Sequence, residues 1–175
     1  MIKRTGEKEI FKNRIFTIKE LELELESGKK IYRQILDKGD SSLIVPLNNQ
    51  KELILIKEYF PAIDEYQLGL PKGRIDSGFD PLETANKELQ EEIGFKANKL
   101  EEIGVVTMSP GYITQKTHIF LAQELTESKL VGDEMEELEI IYYPFEKFEE
   151  LISQNKITEA RMIAALYLAK RFLIL

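Results

Sequence analysis

The hydrophobic pattern changes period along this chain, and each change marks an element. Apolar and polar residues alternate from Ile15 to Leu36 (IFTIKELELELESGKKIYRQIL) on both sides of Ser27-Gly28-Lys29. That two-residue period predicts a half-buried hairpin. Two short apolar runs follow, SSLIVPL over 41–47 and KELILIKEY over 51–59, and Asn48-Asn49-Gln50 between them reads as a turn. Over 70–95 the period becomes helical, with Leu82, Ala85, Leu89 and Ile93 forming an apolar stripe. Asp80 stands as N-cap, Pro81 at the first helical position and Glu83 at N3, while Gly94 stands where a C′ glycine ends a helix.

Beyond that helix, KLEEIGVVTMSPGY (99–112) predicts a strand ending in a turn and THIFLAQEL (117–125) a further strand. GDEMEELEIIYYPF (132–145) runs from an acidic loop into a strand. Segments 146–154 and 157–173 predict helices, the second capped by Thr158. Strands with one helix in the middle and helices at the end give an α/β class fold, an α/β/α sandwich. Residues 1–40 stand apart as an N-terminal β-hairpin region, leaving 41–175 as the main domain. A two-stranded unit is marginal by itself. Pairing with a second copy would stabilise it, so residues 1–40 are the expected dimerisation region.

Composition narrows the class. An apolar fraction of 43% supplies a sizeable core for one domain. The absence of cysteine excludes a disulfide framework and zinc–thiolate sites. The start MIKRTGEKEIF lacks the apolar stretch of a signal peptide, and no apolar run reaches the length of a membrane span. A cytoplasmic protein with no membrane partner is expected. The formal charge of −7 argues against nucleic acid as a partner. An anionic substrate would have to be held by local cations or by a bound metal.

The chemistry concentrates in LPKGRIDSGFDPLETANKELQEEIGF, residues 70–95. Glu88, Glu91 and Glu92 are spaced i, i+3 and i+4, on one face of a helix beside its buried stripe. Like charges at this spacing cost about 0.2–0.5 kcal/mol a pair in water. A hard divalent cation, which prefers carboxylate oxygen, removes that cost. An acidic helix is most often a solvated face, but the glycine-bounded loop in front of this one weighs against that reading. His118, the only histidine, lies within a strand and reads as structural, and the Tyr142-Tyr143 pair reads as packing at a strand end.

The segment resembles the signature of the Nudix hydrolases, G-x5-E-x7-R-E-U-x-E-E-x-G-U with U an apolar residue. Gly73, Glu88, Leu89, Glu91, Glu92, Gly94 and Phe95 fall on its fixed positions, while Phe79 and Lys87 replace its first glutamate and its arginine. Resemblance extends over nearly the whole chain to the branch acting on ADP-ribose and other ADP compounds. It is carried by the N-terminal strands, the SPGY turn with Pro110, the GDExE loop and the closing helix. The lysine in LPKG differs from the LPAG of many ADP-ribose pyrophosphatases, and Phe60 stands where many of them place a substrate arginine.

This resemblance implies a Nudix sandwich with a mixed β-sheet and Mg²⁺-dependent hydrolysis of the diphosphate linkage in ADP-ribose, NADH or diadenosine polyphosphates, releasing AMP. Mn²⁺ is an expected substitute for Mg²⁺. It implies metal binding by Glu88, Glu91, Glu92, the backbone carbonyl of Lys72, and Glu136. The catalytic base is Glu134, in the acidic loop, or Glu91. Arg14 and Phe16 match a region of that branch that contacts the nucleotide across a homodimer, and Gly111 of the SPGY turn is a further expected substrate contact. Lys29, Lys30 and Arg33 are read from their charge as candidate phosphate contacts, although an exposed hairpin usually carries such charges in any case. Two other readings stand beside this one: trimming of RNA 5′ ends, for which LPKG speaks, and a catalytically weak nucleotide sensor, for which Phe79 and Lys87 speak.

Overall fold

In the computed structural model, which describes residues 1–132 and 138–174, the alternating N-terminal segment forms the expected hairpin. Strand β2 (Thr17–Glu24) runs antiparallel to β3 (Lys30–Asp37), from Thr17↔Asp37 to Glu24↔Lys30. The unit is not two-stranded, however. A further strand, β1 (Lys3–Lys12), pairs with β2, with irregularities between Arg4 and Gly6 and between Glu9 and Phe11. It is exposed along nearly its whole length, so it lacks the alternation that reveals a half-buried strand. Segment Thr107–Lys116 belongs to the same unit as Met1–Asp40. Leu36 donates its N–H to Tyr112 O at 2.7 Å and accepts from Thr114 N at 3.1 Å, and Asp40 accepts from Lys116 N at 2.8 Å.

The second unit joins Ser41–Val106 to Thr117–Leu175. Its strands are β4 (Ser41–Pro46), β5 (Glu52–Phe60), β6 (Glu65–Gly69), β7 (Lys72–Arg74), β8 (Phe95–Thr107), β9 (Lys116–Glu127) and β10 (Glu139–Pro144). Its helices are α1 (Pro81–Glu88), α2 (Phe148–Ser153) and α3 (Ala160–Ile174). One sheet has the order β7-β4-β9-β8 and is mixed, since β4 is antiparallel to β7 but parallel to β9. The other, β10-β5-β6, is antiparallel.

Continuous apolar runs in β4, β5 and β9 are what a sheet covered on both faces requires. Leu43, Val45, Leu53, Leu55, Ile119 and Leu121 share a cluster with Phe148 and Leu151 of α2 and with Met162 and Leu166 of α3. Their neighbours Ile44, Ile54, Ile56, Phe120 and Ala122 meet Ala85, Leu89 and Ile93 on the opposite side. Helices therefore cover both faces, and the α/β/α arrangement is present. Each fully buried leucine or isoleucine contributes about 1.5–3 kcal/mol relative to exposure. Leu82, read as the first member of the helical stripe, is exposed; the stripe reaches the core only from Ala85 onward. Among the described residues no helix is long and apolar enough to cross a membrane.

Candidate active site

The glutamate helix starts as its sequence dictates. Asp80 accepts the N–H of Leu82 at 3.0 Å, Pro81 opens the first turn, and the Thr84 hydroxyl donates back to Asp80 O at 3.0 Å. At Leu89 the helix widens into a π-helical turn, Leu89–Ile93, and Gly94 closes it by donating to Leu89 O. Gly94 has φ 76°, a left-handed conformation that glycine adopts without strain. The carbonyls left over at this end are taken up by the segment after β9. Leu130 N donates to Gln90 O at 3.1 Å, Lys129 Nζ to Glu91 O at 2.7 Å, and Ser128 N to Gly94 O at 2.8 Å.

Strand β7 carries the loop half of the site. Its register on β4, with Leu43↔Lys72 and Ser42↔Gly73, fixes the backbone in front of the helix. Glu92 Oε2 accepts the backbone N–H of Lys72 at 3.0 Å. The Glu88 carboxylate lies against the Cα of Gly73, in the space a Cβ there would fill. Any side chain at residue 73 would therefore expel Glu88. The sequence placed all three glutamates at the rim of the packed face, but Glu92 is buried, while Glu88 and Glu91 are half-buried. Burial pushes the Glu92 carboxyl up from 4.5 to about 8; the charge and N–H of Lys72 oppose this, and Glu88 and Glu58 add to it.

Each remaining carboxylate has its own surroundings. Glu91 accepts from Lys87 Nζ at 2.7 Å, so the lysine in place of the signature arginine is engaged along the helix. Lys72 Nζ is ion-paired with Glu58 of β5 and lies 5.5 Å from the centre of the Phe60 ring. Among the described residues, no three acidic or histidine side chains converge into a ready-made cage. Glu91 is turned to Lys87 and Glu92 to the Lys72 amide. The donor set nonetheless suits a divalent cation: carboxylate oxygens and a backbone carbonyl are hard ligands, and Gly73 leaves room for Glu88 beside that backbone.

Other candidate residues are distributed as follows. Glu134 and Glu136 lie outside the described residues. Arg14, Phe16, Lys29, Lys30, Arg33 and Gly111 all belong to the N-terminal unit, whereas the glutamates belong to the other. Arg14 lies in the β1–β2 turn, where Asn13 Oδ1 accepts the N–H groups of Ile15 and Phe16 at 2.8 Å. Phe16 rests 6.2 Å from the Phe11 ring, and Lys30 pairs with Glu22 at 2.8 Å. Arg33 donates to Tyr32 O at 2.9 Å, and Gly111 sits in the turn closed by Tyr112 N to Ser109 O. His118 lies 3.4 Å from Glu102, and Tyr143 donates to Glu150 at 3.1 Å. Sequence reasoning missed Glu58, which no local pattern links to Lys72.

A sandwich in which one helix sets Glu88 and Glu92 against a glycine loop, with Glu91 beside them on Lys87, carries the donor groups of a metal-assisted hydrolase. Comparison with known proteins gives the same class. The family model for the NUDIX domain matches residues 37–166. The chain is similar to the ADP compounds hydrolase NudE of Escherichia coli (strain K12), 36% identical over 94% of this chain and 89% of that protein. It is also similar to the ADP-ribose pyrophosphatase of Bacillus subtilis (strain 168), 30% identical over 94% of this chain and 93% of that protein. A crystal structure of an ADP compounds hydrolase superposes with a TM-score of 0.89 at 33% identity, covering 98% of this chain and 94% of that one. The chain belongs to the Nudix family, whose hydrolases generally use a divalent metal.

Proposed function

We propose that this Nudix diphosphatase hydrolyses the diphosphate linkage of ADP-linked metabolites, among them ADP-ribose, NADH and diadenosine polyphosphates, and releases AMP. The observation that carries the reading is the joining of loop and helix, with Glu92 on the Lys72 amide and Glu88 over Gly73. The two relatives named for ADP compounds and ADP-ribose support the substrate class. Glu88, Glu91, Glu92, Glu136 and the Lys72 carbonyl would hold Mg²⁺, with Mn²⁺ as substitute. Mg²⁺ bound there would neutralise the bridging phosphates and lower the pKa of the attacking water.

The chain's own residues supply the rest. Glu134 would take the proton from that water, with Glu91 as the alternative base. The hydrogen bonds of Ser128 and Leu130 support the acidic-loop assignment, since they tie the chain to the helix end shortly before residue 133. Arg14, Phe16, Lys29, Lys30, Arg33 and Gly111 would contact the nucleotide. Residues 1–40 would form the dimer interface, a role that exposed Ile10, Phe11 and Ile15 support and light scattering tests. The cysteine-free sequence supports a cytoplasmic setting. Assay of AMP release from the named substrates with Mg²⁺ and in excess chelator tests the function. Turnover that survives chelation, or none with Mg²⁺, overturns it.

A further inference from the structure

Lys72 stands between two glycines, and each glycine leaves its space to a carboxylate. Glu88 fills the space beside Gly73, and a Cβ on Gly69 would come within 2.9 Å of Glu58 Oε1 and 3.1 Å of Met162 Cε. The Lys72 ammonium is ion-paired with Glu58, and both side chains are only about one-fifth exposed, at 19% and 20%. Phe60, two residues further along β5 and so on the same face as Glu58, lays its ring 5.5 Å from that ammonium. A half-buried ammonium would be unfavourable here without a partner, and the pair is held where the backbone of Lys72 meets Glu92.

We infer that Glu58 is a positioning residue for the metal-binding loop, acting through the Lys72 side chain. Three restraints then fix the Lys72 peptide unit: the β4 register, the Glu92 hydrogen bond and the Glu58–Lys72 pair on the Phe60 ring. The first two hold the backbone from the strand side and the helix side. The third stops the side chain from turning its charge toward the cation that Glu88 and Glu92 would hold. Loss of Glu58 leaves an unpartnered ammonium beside that cation. This inference rests on the proposed metal site and adds to it a residue that touches neither metal nor substrate.

A double-mutant cycle on Glu58 and Lys72, read as Mn²⁺ affinity by titration calorimetry on the full chain, tests it. Glu58→Gln should weaken Mn²⁺ binding by about tenfold or more, the usual effect of losing an outer partner of a metal ligand. In a Lys72→Met background the same substitution should change affinity less than about twofold. An equal loss in both backgrounds shows Glu58 acting on the metal directly and overturns the inference. So does unchanged affinity in Glu58→Gln. If Glu58→Gln alone does not fold, the inference requires that Glu58→Gln/Lys72→Met fold and bind Mn²⁺, because the stranded charge is gone; failure of the double variant overturns it. Wild-type protein that binds no Mn²⁺ overturns the metal site itself, a result distinct from normal binding that ignores Glu58.

Discussion

The Glu88 carboxylate occupies the volume that a side chain on Gly73 would need. Gly73 does not have a left-handed φ, so alanine is acceptable to the backbone there and its effect is steric. Gly73→Ala should lower turnover by about 10–100-fold by displacing Glu88, the proposed metal ligand, with an unchanged far-ultraviolet circular dichroism spectrum. Shortening the displaced group in Gly73→Ala/Glu88→Asp should recover part of the loss. Full activity in Gly73→Ala would mean that Glu88 has no role in the reaction.

Glu92 makes the metal-free protein sensitive to pH. Its folded-state pKa is raised to about 8 from 4.5, so the folded chain holds a proton that the unfolded chain has released. Stability from this group is greatest below 4.5 and falls as pH rises toward about 8. Glu92→Gln should therefore be more stable than wild type at pH 8 in chelator, by about 1–3 kcal/mol, with little difference at acid pH. Thermal melts at the two pH values check this. Metal affinity should rise about tenfold per pH unit across the same window, because binding releases that proton.

The base assignment separates by kinetics. Removal of a general base costs about 10²–10⁴-fold. Glu134→Gln should fall in that range in kcat with little change in KM, and Glu136→Gln should be the next most affected. Full activity in both, with a large loss in Glu91→Gln, would move the base onto the helix.

Phe79 departs from the family signature, yet it is 64% exposed and contributes little to the core. Phe79→Glu should alter stability by less than about 0.5 kcal/mol and leave turnover at or above the wild-type rate. Chemical denaturation and steady-state assay check both parts. A large loss of either would assign Phe79 a packing role that its exposure does not suggest.

What the sequence made legible was what local rules govern. Asp80 and Pro81 start a helix and Gly94 ends it whatever surrounds them, and the apolar runs of β4, β5 and β9 announce a sheet buried on both faces. The depth of Glu92 was not legible, because i+4 spacing gives a direction around a helix and says nothing of what covers it. Strand β1 was hidden because its exposed residues need no alternation. The Glu58–Lys72 pair joins residues from two strands that are not hydrogen-bonded neighbours, and only the folded backbone brings them together.

The π-helical turn gives the glutamate spacing a different angular meaning. In an α-helix each residue advances by about 100°, so i and i+4 are offset by about 40° around the axis. A wider turn advances by less, and the four steps from Glu88 to Glu92 come closer to one complete revolution. The two carboxylates are then stacked along the axis instead of fanned around it, and both are directed at the short strand β7. Such a turn is one residue longer than the α-helical turn it replaces. The reading frame of the helix face thus depends on that surplus residue. Loss of Gln90 alone would restore regular geometry and bring Glu91 to i+2 from Glu88, about 160° away around the axis, and Glu92 to i+3, about 60° away, so the stacked pair would be lost though every carboxylate remained in the chain.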